Sequence, residues 1–247
     1  MARRNRRQRI YLFGRRCLRR LRLQSLFDYR ISHVMACDVG QAAGREDDAR
    51  DVTFREVGEE ECAWIAELDP DHEQVFRKRW RSRHRCFAAE IAGRCAGFTW
   101  AAIGPAVVDS GGVASAWSIP AGAIWKFDTY SHPLAVGVAP ELIWYSRRRL
   151  REDGIGTSLS AVEYDNEAAA RLQVRMGARC VGRVTTVFAL GIRLHLDRAQ
   201  NGWRLRFGSQ PFALAPLLAG GVRDFGVRHA AGHQLRKNPR KRPGAAA

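Results

Sequence analysis

Three residues that can move protons occur at alternate positions near the middle of the chain. Asp128, Tyr130 and His132 lie in the run Phe127-Asp-Thr-Tyr-Ser-His-Pro133, and in a regular strand alternate side chains point to the same face. Carboxylate and imidazole groups accept protons, and an imidazole with an ordinary pKa of about 6.5 does so without a special environment. The pattern therefore suits general acid–base chemistry. The ordinary alternative is that Asp128 caps a loop and His132-Pro133 forms a turn.

A glycine-containing loop follows at once and leads into a predicted helix. The loop is Leu134-Ala-Val-Gly137-Val-Ala139, and the helix is predicted over residues 140–152. Main-chain amides at the start of a helix bind anions, and a glycine lets a ligand approach the backbone closely. The alternative is that Gly137 only turns the chain from a strand into a helix.

The most specific pattern is an asparagine and a glycine that bracket a short helix. Asn166 precedes the predicted helix and Gly177 ends it, and β-prone runs at 155–162 and 180–187 flank the pair. Asparagine is a favoured N-cap and glycine is the usual stop, so each residue alone has an ordinary explanation. That explanation does not account for the cap, the spacing and the two strands occurring together. We expect the two runs to lie side by side in one sheet.

These patterns belong to a longer series of predicted elements. Strands are predicted at 29–36, 52–57, 86–91, 95–103, 123–130, 155–162 and 180–187, continuing as strand through 184–196, and helices at 59–68, 72–84, 140–152 and 167–176. The strands at 86–91 and 95–103 are predicted to form a tight hairpin. Residues 105–122 are rich in Gly, Ser, Ala and Pro, and are predicted to be an irregular insertion.

The helix between the two β-prone runs resembles a motif of the GNAT acetyltransferase superfamily. The family pattern is Asn-x-x-Ala-x-x-x-Tyr-x-x-x-Gly-Phe, and this chain has Asn166, Ala169 and Gly177 at the matching positions. Gln173 stands where the family has tyrosine, and Ala178 stands where it has phenylalanine. A glutamine donates a hydrogen bond but supplies no proton at neutral pH. Because a thiol has a pKa of about 8.5, its thiolate still leaves without an acid, although more slowly.

Two further matches extend the resemblance over about residues 52–196. The family loop (Gln/Arg)-x-x-Gly-x-(Gly/Ala) is matched by Gly137 and Ala139, with Leu134 in the polar lead position. The hairpin at 86–103 looks like the second and third strands of the family. The resemblance implies an α/β fold of GNAT type, with a mixed, mostly antiparallel central sheet flanked by helices.

The resemblance also implies a function, the transfer of an acetyl or other acyl group from coenzyme A to an amine. Acetyl-coenzyme A or another acyl-coenzyme A is then the co-substrate, and no metal is implied. We expect direct attack in a ternary complex, since no cysteine lies where a ping-pong nucleophile is needed. Asp128, Tyr130 and His132 are the expected catalytic residues; Asp128 is the best placed base, and Glu90 is a weaker candidate. The expected cofactor-binding residues are Leu134, Ala135, Val136, Gly137, Val138, Ala139, Asn166 and Gln173.

The net charge of +16 is concentrated at the two ends of the chain. Residues 1–30 contain eleven arginines and one aspartate, and residues 223–247 contain seven lysines and arginines and one aspartate. Much of 10–27 has the pattern of a basic amphipathic helix, suited to an anionic membrane surface or to nucleic acid. Its leucines can instead pack on the domain. An alternative function is therefore a catalytically weak GNAT-like module that binds an acidic partner through its ends.

Composition bears on membrane insertion, on the role of the cysteines and on the location of the protein. No apolar run approaches the roughly 18 residues that span a bilayer, and six scattered cysteines without a CxxC pair argue against a zinc site or a disulfide framework. We expect a cytoplasmic protein that can associate with the membrane surface. The expected organisation is a basic segment at 1–28, an acyltransferase domain at 29–200, an extension at 201–227 and a disordered basic tail at 228–247.

Overall fold

The computed structural model describes residues 11–14, 16–18, 27–41, 51–109, 116–135, 137–189, 192–199, 202–207 and 212–214. Residues 11–14 and 16–18 are helical, and the numbered α-helices are α1 (Cys62–Ala66), α2 (Glu73–Arg81), α3 (Val138–Glu152) and α4 (Glu167–Arg175). The strands are β1 (Phe27–Asp38), β2 (Val52–Val57), β3 (Arg85–Ile91), β4 (Arg94–Ile103), β5 (Ala106–Asp109), β6 (Ala116–Ile119), β7 (Ala123–Ser131), β8 (Thr157–Glu163), β9 (Arg179–Ala189), β10 (Ile192–Ala199), β11 (Gly202–Phe207) and β12 (Phe212–Ala213).

Nine strands form the main sheet, in the order β11-β10-β9-β1-β8-β7-β4-β3-β2. All neighbouring pairs are antiparallel except β7 and β8, which are parallel. The predicted α/β class, a mixed and mostly antiparallel central sheet flanked by helices, is confirmed. The predicted hairpin is also confirmed: β3 and β4 are joined by Ala92 and Gly93, both at positive φ, as a two-residue hairpin turn requires.

The expectation that the strands on either side of α4 are neighbours is wrong. β1 lies between β8 and β9 and pairs antiparallel with both, so Ser32 has Glu163 on one side and Val184 on the other. β8 and β9 are consequently parallel but one strand apart. A helix that crosses from one parallel strand to the next lies on the face of the sheet, so it can pass over an intervening strand. The early strand predicted at 29–36 fills that position.

Helices cover both faces of the sheet. Alternate residues of β3 point to opposite faces: Cys86 and Ala88 pack with α1 and α2, and Phe87 and Ala89 pack with α3. The α1–α2 side contains Ile65, Phe76, Phe98 and Trp100, and the α3 side contains Ile124, Val138, Leu142 and Leu150. α4 packs its Ala169, Ala170 and Val174 against Met35 and Val162 of the sheet. Each helix is thereby held by an apolar stripe against one face.

Two predictions of local structure are wrong in the second half of the chain. Residues 105–122 contain β5 and β6, which pair antiparallel and form a small sheet with β12. Val108, Trp117 and Ile119 alternate with polar or exposed neighbours, and Trp117 stacks on Trp125 of β7 with ring centroids 4.7 Å apart. The strand predicted through 184–196 is two antiparallel strands, β9 and β10, because the chain reverses after Ala189.

The ends of the chain are described only in part. Tyr11 is buried, packs edge-on against Tyr29 and Tyr164, and accepts a hydrogen bond from the Tyr29 hydroxyl through its carbonyl oxygen, so part of the N-terminal segment contacts the domain. β11 pairs with β10, and Leu214 is buried in the core. Leu21, Leu26 and the predicted tail at 228–247 lie outside the described residues. Among the described helices, none has the length and apolar content needed to span a bilayer.

Candidate active site

The two parallel strands of the sheet separate halfway along their length. β7 and β8 pair over four positions only, from Ala123 with Thr157 to Lys126 with Ser160. Beyond that point β7 stays paired with β4 as far as Ser131, and β8 stays paired with β1 as far as Glu163. The facing edges of residues 127–131 and 161–163 therefore have no ladder between them. We call the gap between these two segments the wedge.

We call residues 127–131, which are not paired with β8, the free half of β7. A β-bulge lies at its start. Trp100 pairs with Phe127 and Phe98 pairs with Tyr130, so Thr99 faces two residues, Asp128 and Thr129. Asp128 has φ of +44°, in the left-handed region that is uncommon for residues with a side chain. The expectation that Asp128, Tyr130 and His132 share one face depended on a regular strand, and this strand is not regular. A bulge re-aims the side chains that follow it.

Asp128 is paired with an arginine of α2. Its Oδ2 accepts a hydrogen bond from Arg79 Nη2, while the Asp128 side chain remains 56% exposed. The Arg79 guanidinium carbon lies 4.9 Å from the ring centre of Phe127 and 5.2 Å from that of Trp100. Aromatic faces attract a guanidinium, so Arg79 is fixed in position and fixes Asp128 in turn. Oδ1 of Asp128 has no partner among the described residues.

Tyr130 and Thr129 complete the free half of β7. The Tyr130 ring stacks on Phe98 with centroids 5.7 Å apart, and Thr129 Oγ1 is hydrogen bonded to Thr99 Oγ1 at 2.8 Å. Gly97 permits the close approach of the two strands here, because an added Cβ would lie 2.8 Å from the Tyr130 carbonyl oxygen. Tyr130 and Asp128 thus both contact the side of the sheet that carries α2.

His132 belongs to the loop and not to the strand. The Leu134 amide donates to His132 Nδ1 at 3.2 Å, so a neutral His132 ring carries its proton on Nε2. The His132 amide donates to the Ala96 carbonyl at 2.8 Å, which ties the loop to β4. The lone pair that a base would use is therefore occupied by the backbone. Of the three expected catalytic residues, Asp128 has the clearest access to a substrate proton.

The expected anion-binding loop ends at the N-terminus of α3, a helix of 15 residues. Gly137 is the N-cap with φ of +90°, a conformation that favours glycine. The Ala135 and Val138 amides donate within the loop, to the His132 and Ala135 carbonyls. The Gly137 and Ala139 amides have no acceptor in the described part of the chain. Val136 lies outside it.

An anion in this loop would be attracted by backbone amides and not by lysine or arginine side chains. Val138 is buried, and Leu134 is 86% exposed. The acidic residue of the first turn of α3 is Glu141, and the loop from His132 to Ala139 contains no lysine or arginine. Binding here would depend on the Gly137 and Ala139 amides, which have no acceptor among the described residues, and on the partial positive charge of a helix N-terminus.

α4 forms the other side of the wedge entrance. Asn166 is its N-cap, as predicted, and Oδ1 of Asn166 accepts from the Ala169 amide at 3.0 Å. Gly177 has φ of +81° and ends the helix, with the Ala178 amide donating to the Gln173 carbonyl at 2.9 Å. The Gln173 side chain accepts through Oε1 from Arg147 Nη2 at 3.4 Å. The side-chain NH₂ group of Gln173 can therefore donate a hydrogen bond to a ligand.

A buried basic cluster lies below the wedge. Lys126, at the last paired position of β7, donates to Ser146 Oγ at 2.7 Å, and Ser146 donates to the Ile143 carbonyl at 2.8 Å. Complete burial, with a smaller contribution from Arg147, holds the pKa of Lys126 well below its ordinary value. Arg147 is itself buried and donates to the Met176 carbonyl at 2.7 Å. These contacts join α3, α4 and β7 into one rigid unit.

The cysteines offer no nucleophile in the core. Burial raises the pKa of Cys37, Cys62, Cys86, Cys95 and Cys180, to about 12 for Cys95 and about 11 for Cys180. Each is therefore a neutral thiol at physiological pH. In the part of the chain that the structure describes, no group of three His, Cys, Asp or Glu side chains is placed to hold a metal ion.

The structure adds residues that sequence reasoning missed. Arg79, Gly97 and Thr99 support the free half of β7, and none of them belongs to a motif. The strongly basic helix predicted at 72–84 was the one available hint of Arg79. Glu90, the weaker candidate base, is held by Arg55 Nε at 3.3 Å on β3 and is not among the residues that contact Asp128.

Comparison with known proteins gives similarity in structure but not in sequence. No protein-family model matches the chain, and no curated protein matches it. A GNAT-family acetyltransferase from Novosphingobium aromaticivorans is 16% identical, with a TM-score of 0.47, and the match covers 65% of this chain and 63% of that one. This chain therefore spans less than two thirds of that structure.

Two further solved structures are similar over about half of this chain. The ribosomal-protein-alanine N-acetyltransferase of Brucella melitensis is 15% identical, with a TM-score of 0.38, and the match covers 51% of this chain and 83% of that one. AAC(6')-Iy, solved with a bisubstrate analogue of coenzyme A, is 18% identical, with a TM-score of 0.40, and the match covers 51% of this chain and 89% of that one. The chain is thus similar to solved GNAT-family acetyltransferases at low sequence identity.

Proposed function

We propose that this chain transfers an acyl group from an acyl-coenzyme A to a primary amine. The observation that carries the proposal is the wedge, which opens beside the Gly137 loop. Two strand edges that face each other without a ladder leave backbone donors and acceptors for an extended ligand. The pantetheine arm of coenzyme A is such a ligand, since it is extended and contains two amide groups.

The loop supports the other end of the same co-substrate. A pyrophosphate at the free amides of Gly137 and Ala139 would meet the N-terminus of α3, where backbone dipoles favour an anion. Because these donors are backbone groups, the leucine at position 134 does not remove them. Leu134 to Ala139, Asn166 and Gln173 remain the proposed cofactor-binding residues, with Asn166 acting through the position of α4.

The transfer step needs a base and a leaving group. The amine nitrogen attacks the thioester carbonyl, the new C–N bond forms, and the C–S bond breaks with its electron pair on sulfur. Before attack the ammonium gives one proton to Asp128, whose Oδ1 has no partner among the described residues. After the C–N bond forms, the nitrogen loses a second proton, which goes to solvent. The thiolate leaves without a phenolic acid at position 173, where the Gln173 amide NH₂ can donate a hydrogen bond. Attack is direct, since the described buried cysteines are neutral thiols.

A transfer assay tests the proposal. The full chain is incubated with acetyl-coenzyme A and a panel of primary amines, and both free thiol release and the mass of each acetylated amine are measured. We expect thiol release that requires an amine and equals the amount of acetylated product. Thiol release at the same rate with no amine, or no product above a heat-denatured control across the panel, would contradict the proposal.

The arginine-rich ends lie almost entirely outside the described residues, so their predicted binding to an anionic membrane surface or to nucleic acid stays a prediction. Deletion of residues 1–10 should remove binding to anionic vesicles or to nucleic acid if those arginines provide it. Such binding falls steeply with salt because of screening and counterion release. Binding that is independent of salt would contradict the electrostatic explanation.

A further inference from the structure

A cleft of about 360 Å³ opens where the end of α1, the β3–β4 hairpin and the loop after β7 meet. We call it the hairpin cleft. Its apolar walls include Leu68, Ile91 and Leu134, and the Leu134 side chain is 86% exposed. Small-molecule sites have this range of volume and are mainly apolar with a few polar groups.

The rim carries one carboxylate and one guanidinium that no described residue neutralises. Glu67 and Arg94 both line the cleft and are exposed, and neither side chain has a hydrogen bond or an ion pair with the described residues. Nearby charges behave differently: Arg55 pairs with both Glu61 and Glu90. Opposite charges left unpaired on one small cleft provide complementary positions for the two charges of a zwitterion.

The other polar side chains that line the cleft are the Cys95 thiol and the His132 imidazole. Burial raises the pKa of Cys95 to about 12, so its thiol adds no charge to the floor of the cleft. His132 also lines the cleft, and because its Nδ1 is engaged by the Leu134 amide, its Nε2–H is the group available to a ligand. The cleft therefore combines one negative charge, one positive charge, one imidazole N–H donor and aliphatic walls.

We propose that the hairpin cleft binds an α-amino acid with an aliphatic side chain. Glu67 receives the ammonium group, Arg94 receives the carboxylate, and the side chain packs against Leu68, Ile91 and Leu134. The volume equals that of about twelve water molecules, enough for an amino acid with an aliphatic side chain. Binding of the amino acid does not rest on the proposed function. Leu134, the residue that departs from the loop pattern, gains a role as a wall of this cleft.

Calorimetry with three matched ligands tests the binding site. Leucine carries both charges, leucinamide lacks the carboxylate, and 4-methylpentanoate lacks the amine. We expect the full chain to bind leucine up to about fivefold more tightly than either analogue, since each analogue loses one exposed charged contact. Equal affinity for all three ligands, or no binding of leucine, would overturn the proposal.

Two variants assign the charges separately. Glu67→Gln should remove the preference for leucine over 4-methylpentanoate, and Arg94→Met should remove the preference for leucine over leucinamide. Arg151→Met, a change of an exposed arginine of α3 that does not line the cleft, is the matched control and should bind leucine as the unaltered chain does. Unchanged preferences in both cleft variants would overturn the assignment.

Discussion

The two halves of β7 differ in burial, in strand pairing and in regularity. Residues 123–126 are buried, paired on both sides and regular, whereas residues 127–131 are partly or largely exposed and are paired with β4 alone. The change occurs at Lys126 and at the bulge beside Asp128. A single strand can therefore join two parts of a sheet with one half and offer a free edge to a ligand with the other.

Each half has its own support. The first half is stabilised by core packing, including the stack of Trp125 on Trp117 and the burial of Ile124 against α3. The second half is positioned by specific contacts, those of Arg79 with Asp128 and of Thr99 with Thr129. Mutations in the first half should mainly change stability, and mutations in the second half should mainly change turnover.

The largest difference is expected between the two large aromatic residues of β7. Trp125→Ala should lower the free energy of unfolding by about 3–5 kcal/mol, because it removes a buried indole and leaves a cavity. Tyr130→Ala should cost about 1 kcal/mol, the value of a partly exposed aromatic pair. Urea unfolding of both variants measures this. Equal losses would show that the two halves are not energetically distinct.

A smaller effect is expected on catalysis. Asp128→Asn should lower kcat/KM at least about 100-fold, because it removes the proposed base. Asp153→Asn is the matched control, since Asp153 is also an exposed carboxylate paired with an arginine, Arg85, but lies at the far end of α3. Steady-state kinetics with a fixed amine compare the two. If both variants retain full turnover, Asp128 is not the base.

The smallest effect concerns Lys126, at the boundary between the halves. Its pKa is held low in the folded state by burial, so between that pKa and about 10.5 the unfolded chain binds one proton more than the folded chain. Raising the pH through this range therefore stabilises the fold with respect to this group. Lys126→Met should therefore be more stable than the unaltered chain at pH 7.

The pH dependence isolates this group from the others. The difference in unfolding free energy between Lys126→Met and the unaltered chain should shrink as the pH rises toward about 10.5, because the unfolded lysine then loses its proton too. Chemical denaturation at several pH values measures the difference. A difference that stays constant with pH would contradict a lowered pKa for Lys126.

Local patterns in the sequence predicted the local structure well. Asn166 and Gly177 begin and end α4, and Ala92-Gly93 turns the β3–β4 hairpin, because each of these depends on the conformational preferences of one or two residues.

Long-range features were not predictable in this way. Nothing local to residues 27–38 specifies that β1 lies between β8 and β9, since that choice depends on which edges remain unpaired. The bulge at Asp128 depends on the register with β4, and the contact with Arg79 joins residues 49 positions apart. The hairpin cleft likewise combines three separate segments. The sequence therefore proposes residues for a site, but not the contacts that arrange them.

The most direct test of the central claim is a calorimetric titration of acetyl-coenzyme A into the full chain and into Gly137→Glu. We expect one binding site in the unaltered chain and affinity at least about 100-fold weaker in Gly137→Glu, equal to about 2.7 kcal/mol, because the new carboxylate repels the pyrophosphate and glutamate fits poorly at positive φ. Gly154→Glu, at a glycine of similar φ beyond the other end of α3, controls for backbone strain and charge and should bind normally. No binding to the unaltered chain, or equal affinity in Gly137→Glu, would contradict the claim.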